Sequence, residues 1–124
     1  MSQTDNQPIK MAKKLASEHP DEIVSLYSFD NLCRYASPSH ASLLGRDPES
    51  MIGRKWTEFV APDDHEHANL AGDDALLNGE SIDFSISTRT QSGDLVPLKC
   101  RARILADPKT RTSYLLFRAQ IRRD

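Results

Sequence analysis

Residues 43–53 read LLGRDPESMIG, and PDD follows at 62–64. This stretch decides the fold, because it sets several helix boundaries in quick succession. Gly45 ends a helix: lacking a Cβ, it enters the left-handed conformation that closes many helices. Asp47-Pro48 opens the next, the carboxylate accepting backbone N–H groups and the proline pre-set for the first turn. Gly53 closes that one almost at once. The PDD signal then predicts a longer helix over 64–77, closed by Asn78-Gly79.

Upstream, Ser37 as cap and Pro38 in the first turn open the helix that Gly45 ends. Residues 33–37 form a short strand that returns from the Asp30-Asn31 turn. Before the turn, IVSLYSF at 23–29 is a strand rich in β-branched and aromatic residues. The polar start, MSQTDNQ, is expected to fray. Pro8 suits the first position of a helix, with Asn6 or Gln7 before it. Ile9, Ala12, Leu15 and Ala16 share one face of that helix, and His19-Pro20 stops it. A helix this short is marginal alone and must dock on something.

Downstream the period changes to two. Ile82, Phe84, Ile86 and Thr88 alternate with Asp83, Ser85, Ser87 and Arg89, as in a half-buried strand. Ser92-Gly93-Asp94 turns the chain into a second strand. There Val96, Leu98, Cys100, Ala102 and Ile104 alternate with Pro97, Lys99, Arg101 and Arg103. Asp107-Pro108-Lys109-Thr110 turns it again into a last strand over 112–121. The order is helix, two strands, several short helices, then three antiparallel strands.

With 124 residues the chain is one domain's worth, and 38% hydrophobic against 27% charged residues is a soluble globular balance. The longest apolar run, 114–117, is far short of a membrane span, and no apolar stretch follows Lys10, Lys13 and Lys14 to make a secretory signal. Two cysteines without CxxC spacing fit a reducing, cytoplasmic setting, where they behave as small buried hydrophobes. Charge is split: segment 58–83 carries eight acids and no Lys or Arg, whereas 99–124 carries eight basic residues against two acids. Such a division suits docking within one chain or between two copies. It is a weak nucleic-acid footprint, since the whole is slightly acidic and the basic part lacks interleaved exposed aromatics.

The element order and its punctuation resemble the PAS domain family of sensor modules. The resemblance covers 22–124 and is carried by IVSLYSFDNLCRYASPS, SLLGRDPESMIGRKWTEFVAPDD and SGDLVPLKCRARI. It implies an α+β fold, a five-stranded antiparallel sheet with short helices on one face around a small cavity. Residues 1–21 are then a tail and an amphipathic N-terminal helix, and 22–124 the PAS domain. It also implies a bacterial-type, cytoplasmic sensory and protein-interaction module, not itself an enzyme, that senses a small molecule or partner. Such a module signals by conformational shift and homodimerisation to an effector domain or protein; in longer members the effector begins near the position of Asp124. The fold alone does not settle the ligand, since family members bind haem, flavin, small metabolites or only another protein.

Each option needs its own residues. For haem, His67 in PDDHEH matches the proximal-histidine position of haem-binding members; His65 points elsewhere on the helix. No equivalent of the gas-binding arginine is found on the strand from Ile82, so no cofactor is the leading expectation and haem the alternative. Flavin-binding members use a cysteine in a GxNCRFLQ-like helix, whereas Cys33 lies between two strands and lacks that Gly and Gln. No GxSxG, phosphate loop or HExxH is present. The candidate pocket is therefore apolar: Trp56 and Phe59 on the helical wall, with Ile82, Phe84, Ile86, Leu98, Cys100, Ala102, Leu115 and Phe117 on the inner sheet face. The small Cys100 and Ala102 leave room there, while a fully packed, ligand-free adaptor is the competing expectation. On the outer face Tyr114 and Leu116 offer an apolar spot for the terminal helix, of this chain or of a partner. Ile9, Leu15, Tyr114 and Leu116 are the candidate dimer contacts.

Overall fold

The protein is described from a computed structural model, which covers residues 6–122. The first helix, α1 (Gln7–Glu18), is capped by Asn6, whose side chain accepts the Ile9 N–H at 2.9 Å and donates to the Tyr114 hydroxyl at 3.0 Å. Asn6 and Gln7 thus belong to an ordered helix start rather than a frayed tail; the rest of the polar start lies outside the described residues, as do Arg123 and Asp124. His19, before Pro20, ends α1 as expected.

β1 (Ile23–Ser28) and β2 (Cys33–Ala36) form the first hairpin. The helices α2 (Ser39–Leu44), α3 (Pro48–Met51) and α4 (His65–Asn78) follow, with two 3₁₀ turns at Trp56–Glu58 and Pro62–Asp64. β3 (Ile82–Arg89), β4 (Leu95–Ala106) and β5 (Ser113–Ile121) complete one antiparallel sheet of order β2-β1-β5-β4-β3.

The segment 43–53 behaves as its residues dictate. Gly45 takes φ 65° at the end of α2. Asp47 accepts the Glu49 N–H at 3.1 Å, and Pro48 opens α3. Leaving α3, Gly53 donates to the Cys33 carbonyl, and Arg54 accepts the Cys33 N–H, both at 2.8 Å. These bonds cover the outer edge of β2, which would otherwise be open to pairing with another chain. Ser37 departs from expectation. Its hydroxyl does not cap α2 but accepts the Val24 N–H at 3.0 Å, tying the loop to β1.

Strand parity divides the core between the two sheet faces, and a third, smaller cluster of Cys33, Ala36, Met51 and Phe59 lies beside β2. Ile23, Leu44, Val60, Ile86, Leu98, Cys100 and Ala119 pack together between the sheet and α2–α4. On the opposite face Val24, Leu26 and Leu116 pack against Ala12 and Ala16 of α1. The helices therefore lie on both faces, α1 on one and the rest on the other. Burying Leu26 or Leu116 in this way is worth about 1.5–3 kcal/mol apiece, enough to hold a helix too short to persist alone. Leu116 is 1% exposed beneath α1 of its own chain, so while α1 is docked it is not open to a second copy. Ile9, Leu15 and Tyr114 pack, half-buried, at the edges of this same cluster. Part of the charge division is met internally, where Arg101 pairs with Asp83 at 2.8 Å; Arg118 pairs instead with Glu22, outside the acidic segment, at 2.9 Å.

Candidate functional site

Between the inner sheet face and the helices lies a cavity of ≈ 180 Å³. Its floor is the inward set of the strands: Ile23, Ser25 and Tyr27 from β1, Phe84 and Ile86 from β3, Leu98 from β4, Leu115 and Phe117 from β5. Leu44, Met51, Trp56 and Phe59 wall one side, and Ala68, Gly72 and the largely exposed Leu76 of α4 border the other, which is open toward solvent. Phe84 and Phe117 meet at 6.1 Å between ring centroids, so part of the floor is aromatic.

Of the residues expected here, Trp56, Phe59, Phe84, Ile86, Leu98, Leu115 and Phe117 line the cavity. Ile82, Cys100 and Ala102 do not. They face the same side, on the part of β3 and β4 against which α4 packs. There Ala71 and Ala75 of the helix are buried. Small residues on both partners suit a close approach of helix and strands.

The cavity also has a polar end that the apolar pattern does not reveal, formed by Ser25, Tyr27, His40 and Arg46. His40 is 3% exposed. Its Nδ1 donates to the Ser37 carbonyl at 3.0 Å, which makes Nε2 the acceptor of the Ser25 hydroxyl at 3.1 Å. Burial holds the imidazole neutral, lowering its pKa to about 4; the Ser37 carbonyl opposes the shift and the Arg46 charge adds to it. The serine–histidine contact has the reach of a nucleophile and base. Yet a base this weak withdraws few protons at neutral pH, and its second nitrogen faces a carbonyl rather than a carboxylate.

Arg46 follows Gly45, and beyond that left-handed residue its N–H donates to the His40 carbonyl at 3.1 Å, closing the end of α2. An Arg46 terminal amine donates to the Arg89 carbonyl, and the guanidinium carbon stands 4.9 Å from the Phe59 ring centroid. Its Nε is buried without an acceptor among the described residues. Burial draws the Arg46 pKa down, opposed by Tyr27, without discharging a guanidinium at neutral pH. Burial likewise raises the Tyr27 pKa, so the phenol keeps its proton.

His67 is exposed on α4, edge-on to Phe84 at 6.2 Å between centroids, and does not line the cavity. His65 is a clamp: Nε2 donates to the Val60 carbonyl at 2.9 Å and the Thr57 carbonyl at 3.1 Å, with the ring edge against Trp56. Cys33 and Cys100 are buried free thiols, pushed up by burial to about 11 and about 12, and therefore unreactive. Among the described residues no cluster of three His, Cys, Asp or Glu side chains is placed to hold a metal, and no helix is long and apolar enough to cross a membrane.

The sequence profile of the PAS fold matches residues 34–116. The chain belongs to the PAS family. Solved PAS domains share its architecture at low sequence identity. The PAS domain of a Colwellia psychrerythraea protein superposes with TM-score 0.74 at 14% identity, covering 89% of this chain and 96% of that one. PAS-B of Drosophila melanogaster Cycle superposes with TM-score 0.72 at 14% identity, covering 81% of this chain and 99% of that one. That structure has bound ethylene glycol, and a tryptophan-to-alanine variant of the same domain has bound glycerol. No curated protein matches the sequence.

Proposed function

We propose that this PAS domain is a cytoplasmic sensory module of bacterial type, which binds a small, mostly apolar molecule in the cavity and passes its presence to a partner or effector. The observation that carries the reading is the cavity itself: apolar and aromatic walls with a few converging polar groups at one end. Small guests bound to Cycle PAS-B accord with it. The volume disfavours haem, since ≈ 180 Å³ is less than the roughly 300–1,000 Å³ of sites that hold drug-sized ligands, and His67 stands outside the lining.

A route for the signal runs through two strands. β1 and β5 put Ser25, Tyr27, Leu115 and Phe117 on the cavity and, at alternating positions, Val24, Leu26 and Leu116 against α1. A guest that shifts these strands changes the seat of α1, and a ligand that prefers one seat shifts the population toward it. The output is a changed outer face, which we assign to self-association and effector contact. Catalysis is not part of this proposal.

Trp56, the single tryptophan, lines the cavity and reports on it. Mass spectrometry and absorbance on the protein purified from cells, followed by Trp56 fluorescence with any compound found, test the proposal. A stoichiometric small molecule that shifts Trp56 emission is the expected result. A sharp haem spectrum lost in His67→Ala overturns it in favour of a haem sensor. A protein that no small molecule stabilises or perturbs overturns it in favour of a ligand-free adaptor.

A further inference from the structure

The sensory reading says that something small binds; the cavity's chemistry says what kind. Resting on that reading, we propose that the cavity takes a single-ring aromatic carboxylate, its ring against Trp56, Phe84 and Phe117 and its carboxylate on the Arg46 guanidinium.

Size comes first. A cavity of roughly 150 Å³ holds benzene, so ≈ 180 Å³ holds one ring with a small substituent. Shape and polarity come next. Trp56, Phe59, Phe84 and Phe117 present ring faces and edges, which suit an aromatic guest in offset or edge-on contact. A sugar would leave its hydroxyls against these walls without partners.

Charge decides the head group. Arg46 carries five N–H donors, of which one bonds the Arg89 carbonyl; Nε is buried without an acceptor among the described residues, so the donors left to a guest are those of the terminal amines. No carboxylate is ion-paired with it among the described residues. Glu58, which acts on it electrostatically, is paired with Arg54 at 2.7 Å. The groups beside it, the Tyr27 phenol and the His40 imidazole, are held neutral by burial, and the one acid that acts on it, Glu58, is offset by the Arg54 charge. Asp73, the acid in the lining, stands on the exposed side of α4, and repulsion from it turns a guest carboxylate toward Arg46. A carboxylate meets a planar donor fork that it accepts in two bonds.

The test uses the whole chain near neutral pH, with Trp56 fluorescence and thermal melting as readouts. The probes are benzoate and phenylacetate, with benzamide and methyl benzoate as neutral analogues of the same size. We expect the acids to bind at least roughly tenfold more tightly than the neutral analogues, the scale of one charge-assisted pair. In Arg46→Met that preference disappears, while binding of benzamide stays within about twofold. Equal binding of acids and neutral analogues to the unmodified protein overturns the head-group assignment and leaves the sensory cavity standing. If none of the four probes moves Trp56 emission or the melting temperature at millimolar concentration, the cavity reading falls with it. Should Arg46→Met not fold, the comparison of acid with amide on the unmodified chain decides alone.

Discussion

His40 makes the stability of this domain depend on pH in a calculable direction. The imidazole is 3% exposed and neutral in the fold, with its pKa lowered from 6.5 to about 4. In the unfolded chain it titrates at the ordinary value. Above pH 6.5 both states are unprotonated and His40 adds no pH dependence. As the pH falls below that, the unfolded chain takes up a proton that the folded one refuses, and stability is lost until the folded pKa is reached. At ~1.36 kcal/mol per pH unit the loss approaches about 2 kcal/mol at pH 5 and about 3 kcal/mol near pH 4. His40→Asn isolates the effect, because its side-chain amide replaces the Nδ1 donor to Ser37 and does not titrate. Urea unfolding of both proteins across pH 4.5–7.5 gives the difference directly, since exposed acids such as Asp30 and Asp83 contribute equally to both curves. The advantage of the native protein over the variant is expected to shrink by about 2.5 kcal/mol as the pH falls across that range. Parallel curves would show that His40 is charged or solvated in the fold, and the description of the polar end would be wrong.

Other perturbations follow from the same geometry. Asn6→Ala removes both the cap of α1 and the tie to Tyr114, and is expected to cost about 1 kcal/mol, with faster hydrogen exchange confined to α1. Cys100→Leu overpacks a strand position closed by α4 and is expected to cost about 1–3 kcal/mol in urea melts without changing occupancy of the cavity. A chain starting at Asp21 uncovers Val24, Leu26 and Leu116, so light scattering should show stronger self-association than the full chain; an unchanged, equally stable monomer would refute docking of α1 on its own sheet. Exposed His67→Ala is expected to change stability by less than about 0.5 kcal/mol, and a larger loss in thermal melts would give that ring a structural role beyond its contact with Phe84.

What was legible in the sequence is what a local rule governs. Alternation fixed the inward faces of β3 and β4 residue by residue, and Gly45, Asp47-Pro48 and Gly79 marked helix ends where they occur. The outward pair Tyr114 and Leu116 foretold a seat for the terminal helix, but strand parity says nothing about whose helix fills it. The misses depend on contacts distant in the chain. Ser37 has the residue type of a cap, yet Val24 competes for its hydroxyl and wins. Cys100 and Ala102 are small, and smallness reads equally as space for a ligand or as permission for α4 to approach. The polar end was the larger omission, and a signal for half of it was present. Ile23, Ser25 and Tyr27 alternate on β1, so the face bearing Ile23 also carries a hydroxyl and a phenol inward. Nothing local to Arg46 or His40 shows that their side chains meet these groups.

The place of β5 has a consequence for how the domain comes into being. It is the middle strand of the sheet and the last in chain order. During synthesis the ribosome delivers one hairpin, β1 with β2, and later another, β3 with β4, with nothing to join them. Each half presents an open edge until Ser113–Ile121 emerges and Ala119 settles between Ile23 and Cys100. Pairing across so much intervening chain is entropically slow, and the half-sheets are exposed to association with other chains in the meantime. A nascent chain stopped before Ser113 therefore holds no smaller sensor, and both the cavity floor and the seat of α1 come into existence in one late step.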